Sequence, residues 1–264
     1  MKLYRETALR KQADKPTLAM LDLWQSLSKQ KFGVPIEVMI GNRREHSQLS
    51  AFSGELYTAF PTTVEGRVAL SLWLDSLTNV NSILITHEIG HWVLKLQGFR
   101  GMLYRLNKHC NEEILLNSMA HHPPLYALQR SLGHEPQMEI DSRADHDLKR
   151  FSMETETRQR KIWVRNALLL ADDLMNCSEE KHKQLERVLR DKHFNTARYL
   201  KKILDIASNY NLLNPKQNLK FSEKLIRKLK LGSEWYAPDE VKELQLMMHA
   251  CKKFVIYCHK TSQF

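Results

Sequence analysis

Apolar residues recur every three positions over "PTLAMLDLWQSLSKQKFG", where Leu18, Leu21, Trp24 and Leu27 fall on one side. That period predicts a helix over Pro16–Gly33, with Gly33 suited to the stop. The period then shortens. "VPIEVMIGN" alternates and is rich in β-branched residues, "SAFSGELYTAF" follows, and "GRVALSLWLDSL" places Val68, Leu70, Leu72 and Leu74 on one face. These three stretches read as short strands. The helical period returns in "TNVNSILITHEIGHWVLKLQG", where Ile83, Leu84, Trp92, Leu94 and Leu96 support about four turns. Thr78, Asn79 or Asn81 can cap its start, and Gly98 can supply a left-handed residue after its end.

From Asn111 onward the pattern is almost wholly helical. "NEEILLNSMAHH" reads as one helix. "PPLYALQRSLG" reads as a new one, with proline at its start and glycine at its end. "MEIDSRADHDLKRFSMETETRQRKIWVRNALLLADDLMN" reads as one long helical stretch, and "EEKHKQLERVLRDKHFNTARYLKKILDIASNY" as the next. The expected fold class is α+β: a small, mostly antiparallel three-stranded sheet and the motif helix, then a largely α-helical C-terminal half. "GHEPQM", from Gly133 to Met138, interrupts the pattern and suggests units of residues 1–135 and 136–264.

Composition adds bounds. Only 9 glycines and 8 prolines occur in 264 residues, which favours long helices over a many-turned β fold. Cys110, Cys177, Cys251 and Cys258 lack the close pairing of a zinc ribbon or redox motif and are expected to be reduced thiols. "MKLYRETALRKQADK" has no apolar segment of a secretory leader, and no apolar run approaches a membrane span. A cytoplasmic protein with no membrane partner is expected. The net charge of +10 is uneven: Lys181–Gly232 holds 14 Lys/Arg against four acids. That segment is either a solvated helical face or a surface for nucleic acid or an acidic partner.

The chemistry concentrates in "THEIGH". His87 and His91 are one helical turn apart and can converge on one Zn²⁺. Glu88 points elsewhere on the helix and can take the proton of a water made more acidic by the ion. Ile83–Thr86, Ile89, Gly90 and Trp92–Leu94 carry no charge. Two histidines and a glutamate in such surroundings are costly to bury without a partner, and a metal would offset that cost. A catalytic zinc needs a third protein ligand and an open position. Glu112, Glu113 and His109 are the candidates, and Asn117 lies one turn after Glu113.

"THEIGH" preceded by three strands and followed by a Glu-x-x-x-Asn helix resembles the gluzincin metallopeptidases, and among them the intracellular ImmA/IrrE-type peptidases. "EILLNSMAHHP" keeps Glu113, Asn117, Met119, Ala120 and Pro123 of their second motif, with Leu116 in place of its alanine. The resemblance covers roughly Pro35–Pro124. It implies a zinc peptidase acting on a protein or peptide, with His87, His91 and Glu113 as ligands, Glu88 as general base and Asn117 holding a ligand histidine. His109 is the rival third ligand. The metzincin pattern would need glycine at 94 and histidine at 97, where Leu94 and Gln97 stand. His121, His122, Tyr126 and His134 are candidates to stabilise the transition state. His121, eight residues after Glu113, would share its face if the helix persists; against this, Pro123 disfavours helical geometry at His122, and "HHPP" reads equally as a structural turn. His146, between Asp145 and Asp147, reads as an exposed turn. The resemblance also implies that substrate lies along a sheet edge, for which "RVALSLWLD" is the candidate.

Overall fold

The computed structural model describes residues 3–42, 58–74, 81–105 and 111–249. The chain forms two compact units. One comprises Met1–Gln97, Ser131–His134 and Asp239–Phe264; the other comprises Gly98–Arg130 and Glu135–Pro238.

The first unit is α+β. Its elements are β1 (Leu3–Arg5), α1 (Glu6–Arg10), α2 (Lys15–Phe32), β2 (Val38–Asn42), β3 (Thr58–Val64), β4 (Arg67–Leu74) and α3 (Ser82–Leu96). The α2 helix starts at Asp14, whose carboxylate accepts from Thr17 N, and stops at Gly33 with φ of 80°. The expected three strands are corrected to four, in the order β1-β2-β4-β3; the β1–β2 and β3–β4 pairs are antiparallel, and β2 and β4 are parallel. A three-residue β1 is too short to show a period. The β3–β4 hairpin turns through Glu65 and Gly66, both left-handed at φ of 49° and 72°. Periodicity names the strands; their neighbours are decided by which faces bury. Trp73 is 1% exposed and lies against Gly41, where an added Cβ would sit 2.4 Å from the indole. Glycine is therefore required at that point of β2.

The α3 helix packs on α2. Met20, Leu21, Trp24, Leu70, Leu72, Ile85, Ile89 and Val93 are all buried in this unit. The part of "SAFSGELYTAF" that is described, Thr58–Phe60, lies in β3; its earlier residues fall outside the described ones.

The second unit holds a two-stranded sheet, β5 (Leu103–Tyr104) with β6 (Trp235–Tyr236). Its helices are α4 (Asn111–Ser131), α5 (Gln137–Met153), α6 (Arg160–Asn176), α7 (Glu179–Lys192), α8 (Phe194–Ala207) and α9 (Pro215–Leu229). One apolar cluster joins them, including Leu116, Met119, Phe151, Leu168, Leu189, Ile203, Phe221 and Leu225.

Helix α4 corrects the expected break at "HHPP". It runs unbroken through Pro123 and Pro124. Proline at 124 removes the amide that would bond Ala120 O within the helix. Asn218 of α9 replaces it, donating from Nδ2 to Ala120 O at 2.6 Å. Asn218→Ala therefore leaves a buried carbonyl unpaired, and chemical denaturation is expected to show a loss of about 1–3 kcal/mol. A loss below the error of that measurement would mean that the prolines need no outside partner.

The two long helical stretches each break once. The first breaks between α5 and α6, the second at His193 between α7 and α8. The breaks serve each other. Glu156, between α5 and α6, accepts from Asn195 N at 3.1 Å and Thr196 N at 2.8 Å, capping α8 across 40 residues of chain. Partial burial opposes ionisation of Glu156, but the hydrogen bonds from Thr196 and Asn195 prevail and hold its pKa below the usual value. A lowered carboxylate pKa stabilises the fold above the unfolded value and is lost as pH falls below it. Glu156→Gln is expected to lower stability by about 1 kcal/mol near neutral pH. The gap from wild type should shrink on acidification through pH 4.5, as followed by thermal melts. A gap that does not change with pH would remove this role.

Candidate metal centre

Asn81 begins α3: its side-chain oxygen accepts from Ile83 N at 3.0 Å and Leu84 N at 3.2 Å. Thr78 and Asn79, the other cap candidates, lie outside the described residues. The helix ends before Gly98, at φ of 97°. Ile85, Ile89 and Val93 turn into the core, which brings the faces of His87 and His91 to partial exposure.

The two imidazoles meet. His87 Nε2 and His91 Nε2 are 3.2 Å apart, with their rings at 87°. Two nitrogens bound tetrahedrally at 2.0–2.1 Å would stand about 3.4 Å apart, so the pair fits one small divalent ion. His87, His91 and His122 form a group that could hold a metal ion, each offering one ring nitrogen, with these atoms within 4.8 Å of one another.

His122 is buried on α4, and its Nδ1 lies 2.6 Å from Asp172 Oδ2 on α6. A carboxylate at Nδ1 selects the tautomer with its lone pair on Nε2. Asp172 is itself held: Asn176 Nδ2 donates to Oδ1 at 3.1 Å, and Arg143 is 3.6 Å from Oδ2. Burial pushes the neighbouring Asp173 carboxyl well up, and Asp147, hydrogen-bonded to it, pushes the same way against the Arg143 charge.

Glu88 keeps part of its surface exposed, but its carboxyl is buried. Burial pushes it up to about 8, against a hydrogen bond from Ala59 N and the charge of Lys95. Ala59 O accepts from Trp92 Nε1 at 2.8 Å. Both backbone groups of Ala59 are thus engaged by α3. This bears on the expected substrate edge, which is corrected. The β4 strand pairs on both sides, and β1 and β3 are the outer strands of this sheet among the described residues. On β3, Ala59 is already engaged and Pro61 has no N–H, so neither position offers a free N–H to an added strand.

Glu113, the expected third ligand, is not part of the histidine group. Its Oε2 accepts from Tyr104 N at 2.8 Å. Asn117 holds no histidine either: its Oδ1 accepts from Met102 N at 2.7 Å and its Nδ2 donates to Met102 O at 3.0 Å. Together the two residues pin β5 and the preceding Met102 to α4. Glu112 is buried near Lys161. His109 lies outside the described residues.

His121 is buried on α4, as is Tyr126, whose hydroxyl burial pushes up. His134 is buried in the first unit, where burial lowers its pKa and nearby Asp14 opposes the shift. His146 is exposed, as expected, but on α5 and not in a turn. Sequence reasoning missed the pairing of His122 with Asp172. No local signal could have found it, since the two are separated by 50 residues; the chance lay in not ending the helix at Pro123.

Cys177 is a free thiol, and Cys110, Cys251 and Cys258 lie outside the described residues. Among the described residues, no helix is long and apolar enough to cross a membrane. Comparison with protein-family models, curated proteins and solved structures finds no match.

Proposed function

We propose that this chain is a zinc-dependent peptidase in which His87, His91 and His122 hold the metal and Glu88 is the general base. The observation that carries the reading is the 3.2 Å approach of the His87 and His91 Nε2 atoms on one face of the helix that also bears Glu88. Three neutral imidazoles are a common donor set for catalytic zinc, which keeps one position open. His122 takes the place first given to Glu113, because its Nδ1 is held by Asp172 while Glu113 is engaged with Tyr104. That a peptide is the substrate follows from the resemblance of "THEIGH" to gluzincins.

When bound, the ion would supply Lewis acidity toward a water and a peptide carbonyl. The remaining work falls to the chain. Glu88 takes the proton from the attacking water on a carboxylate oxygen and delivers it to the departing amine. Ala59 N orients that carboxylate, which must both accept and release a proton in the cycle. Asp172 fixes the tautomer of His122.

Purified protein is expected to hold about one zinc per chain and to cleave an unfolded protein substrate. Chelation should abolish cleavage and added zinc restore it. Zinc-loaded protein with no cleavage of unfolded casein would sink the peptidase reading.

A further inference from the structure

The second unit carries a charge feature that a metal site does not use. Residues Phe194–Lys230, spanning α8 and α9, contain nine Lys/Arg and two acids, which is seven of the chain's ten net positive charges. Helix α9 separates its faces cleanly. Asn218, Phe221, Ser222, Leu225, Ile226 and Leu229 are buried. The opposite arc presents Lys216, Lys220, Lys224, Arg227 and Lys228, with Glu223 as its one acid. On α8, Thr196, Leu200, Ile203 and Ala207 are buried, while Arg198, Lys201 and Lys202 face out with Asp205. The two helices pack against each other.

Among the described residues, none of these cations is ion-paired with a carboxylate. The contrast with α7 is informative, where Lys181 pairs with Asp145 and Lys183 with Glu179. Eight unneutralised cations on two adjacent helices repel one another, which destabilises the free protein unless an anion is bound.

We infer that the outward faces of α8 and α9 bind the phosphodiester backbone of a nucleic acid without reading its sequence. Spacing favours this. Lys216, Lys220, Lys224 and Lys228 follow at four-residue intervals, each step rising about 6 Å along the axis. That is a regular row of point charges, suited to a regular row of phosphates. Lysine, a point charge on a flexible stem, supplies four of the five cations on the outward arc of α9, which suits contacts to the backbone more than to base edges. The arc also lacks an apolar residue. A protein interface would need an aromatic or aliphatic anchor within that arc, whereas Phe194 is on α8, and a membrane-surface helix would need apolar side chains along the arc to insert. Phe194, 69% exposed at the start of α8, adds a face on which a base of a single strand can stack.

The test uses the full chain with a fluorescent 20-nucleotide single strand and a 20-base-pair duplex, read by anisotropy at 50 and 200 mM salt. Binding at 50 mM that weakens at least tenfold by 200 mM is expected. The set Lys216→Gln, Lys220→Gln, Lys224→Gln and Lys228→Gln should reduce affinity at least tenfold. It should also lower the slope of log affinity against log salt by about 3. A control that removes the same number of charges elsewhere, Lys11→Gln, Lys15→Gln, Lys29→Gln and Lys31→Gln, should stay within about threefold of wild type. If the α9 set fails to fold by circular dichroism, Arg198→Gln with Lys201→Gln and Lys202→Gln is read in its place, with the same loss expected. Stronger binding to the single strand than to the duplex assigns the stacking role to Phe194. Three results would overturn the inference: no binding at 50 mM salt, equal loss in the control set, or tighter binding to polyglutamate or anionic vesicles than to either nucleic acid.

Discussion

Glu88→Gln is expected to retain zinc and to lose peptide cleavage by about 10²–10⁴-fold. The substitution leaves His87, His91 and His122 untouched and keeps the hydrogen-bond acceptor that meets Ala59 N. What it removes is the site that carries the proton from water to the amine. The same variant reports on the buried carboxyl by itself. In the metal-free protein its folded pKa is about 8 against an ordinary 4.5, because burial penalises the charge. A raised pKa means that this group's contribution to stability is complete below 4.5 and is lost as pH climbs through 8. Metal-free wild type should therefore lose stability over that range relative to Glu88→Gln. Partial exposure of the residue limits the effect to about 1–3 kcal/mol. Zinc should narrow the gap, since a nearby cation favours the carboxylate. Denaturant melts at pH 5 and pH 8.5, with and without zinc, measure each part. Retained metal with full cleavage would remove Glu88 from the mechanism.

His122→Ala is expected to release the metal, and Glu113→Ala to keep it. The contrast separates the two third-ligand assignments. Loss of one of three imidazoles leaves the His87–His91 pair, which binds zinc much more weakly. Glu113→Ala should instead loosen the strand at Tyr104, since the carboxylate bonds its amide at 2.8 Å. Asp172→Asn should fall between, weakening zinc about 10–100-fold, because an amide no longer holds His122 Nδ1 as firmly. Zinc competition against a colorimetric chelator gives all three affinities. If Glu113→Ala loses zinc and His122→Ala does not, the ligand set proposed here is wrong.

Much of the first unit was legible along the chain. The apolar period, a cap among Thr78, Asn79 and Asn81, and the glycine at 98 bounded α3 to within a few residues, because caps and periods are local physics; the structure selects Asn81. The same locality misled at "HHPP". Prolines in succession normally end a helix, and here a side chain nearly 100 residues away supplies the missing bond. Likewise Glu113 and Asn117 looked alike for a metal and for a backbone clamp. A carboxylate and an amide one turn apart can serve either, and here Tyr104 of β5 uses the one and Met102 before it the other.

The amino-acid order alone determined which helix brings two imidazoles and a carboxylate together, since His87, Glu88 and His91 need only one turn of helix to be so spaced. It also determined that positive charge gathers on α8 and α9, since lysines at four-residue spacing on an amphipathic helix must share its polar face. Only the tertiary structure decided that β4 is an inner strand, that Ala59 holds the Glu88 carboxylate, and that His122 is oriented by Asp172. Each of these is a contact between residues far apart in the chain. Such contacts are set by which apolar faces bury against each other, and no local period records that choice.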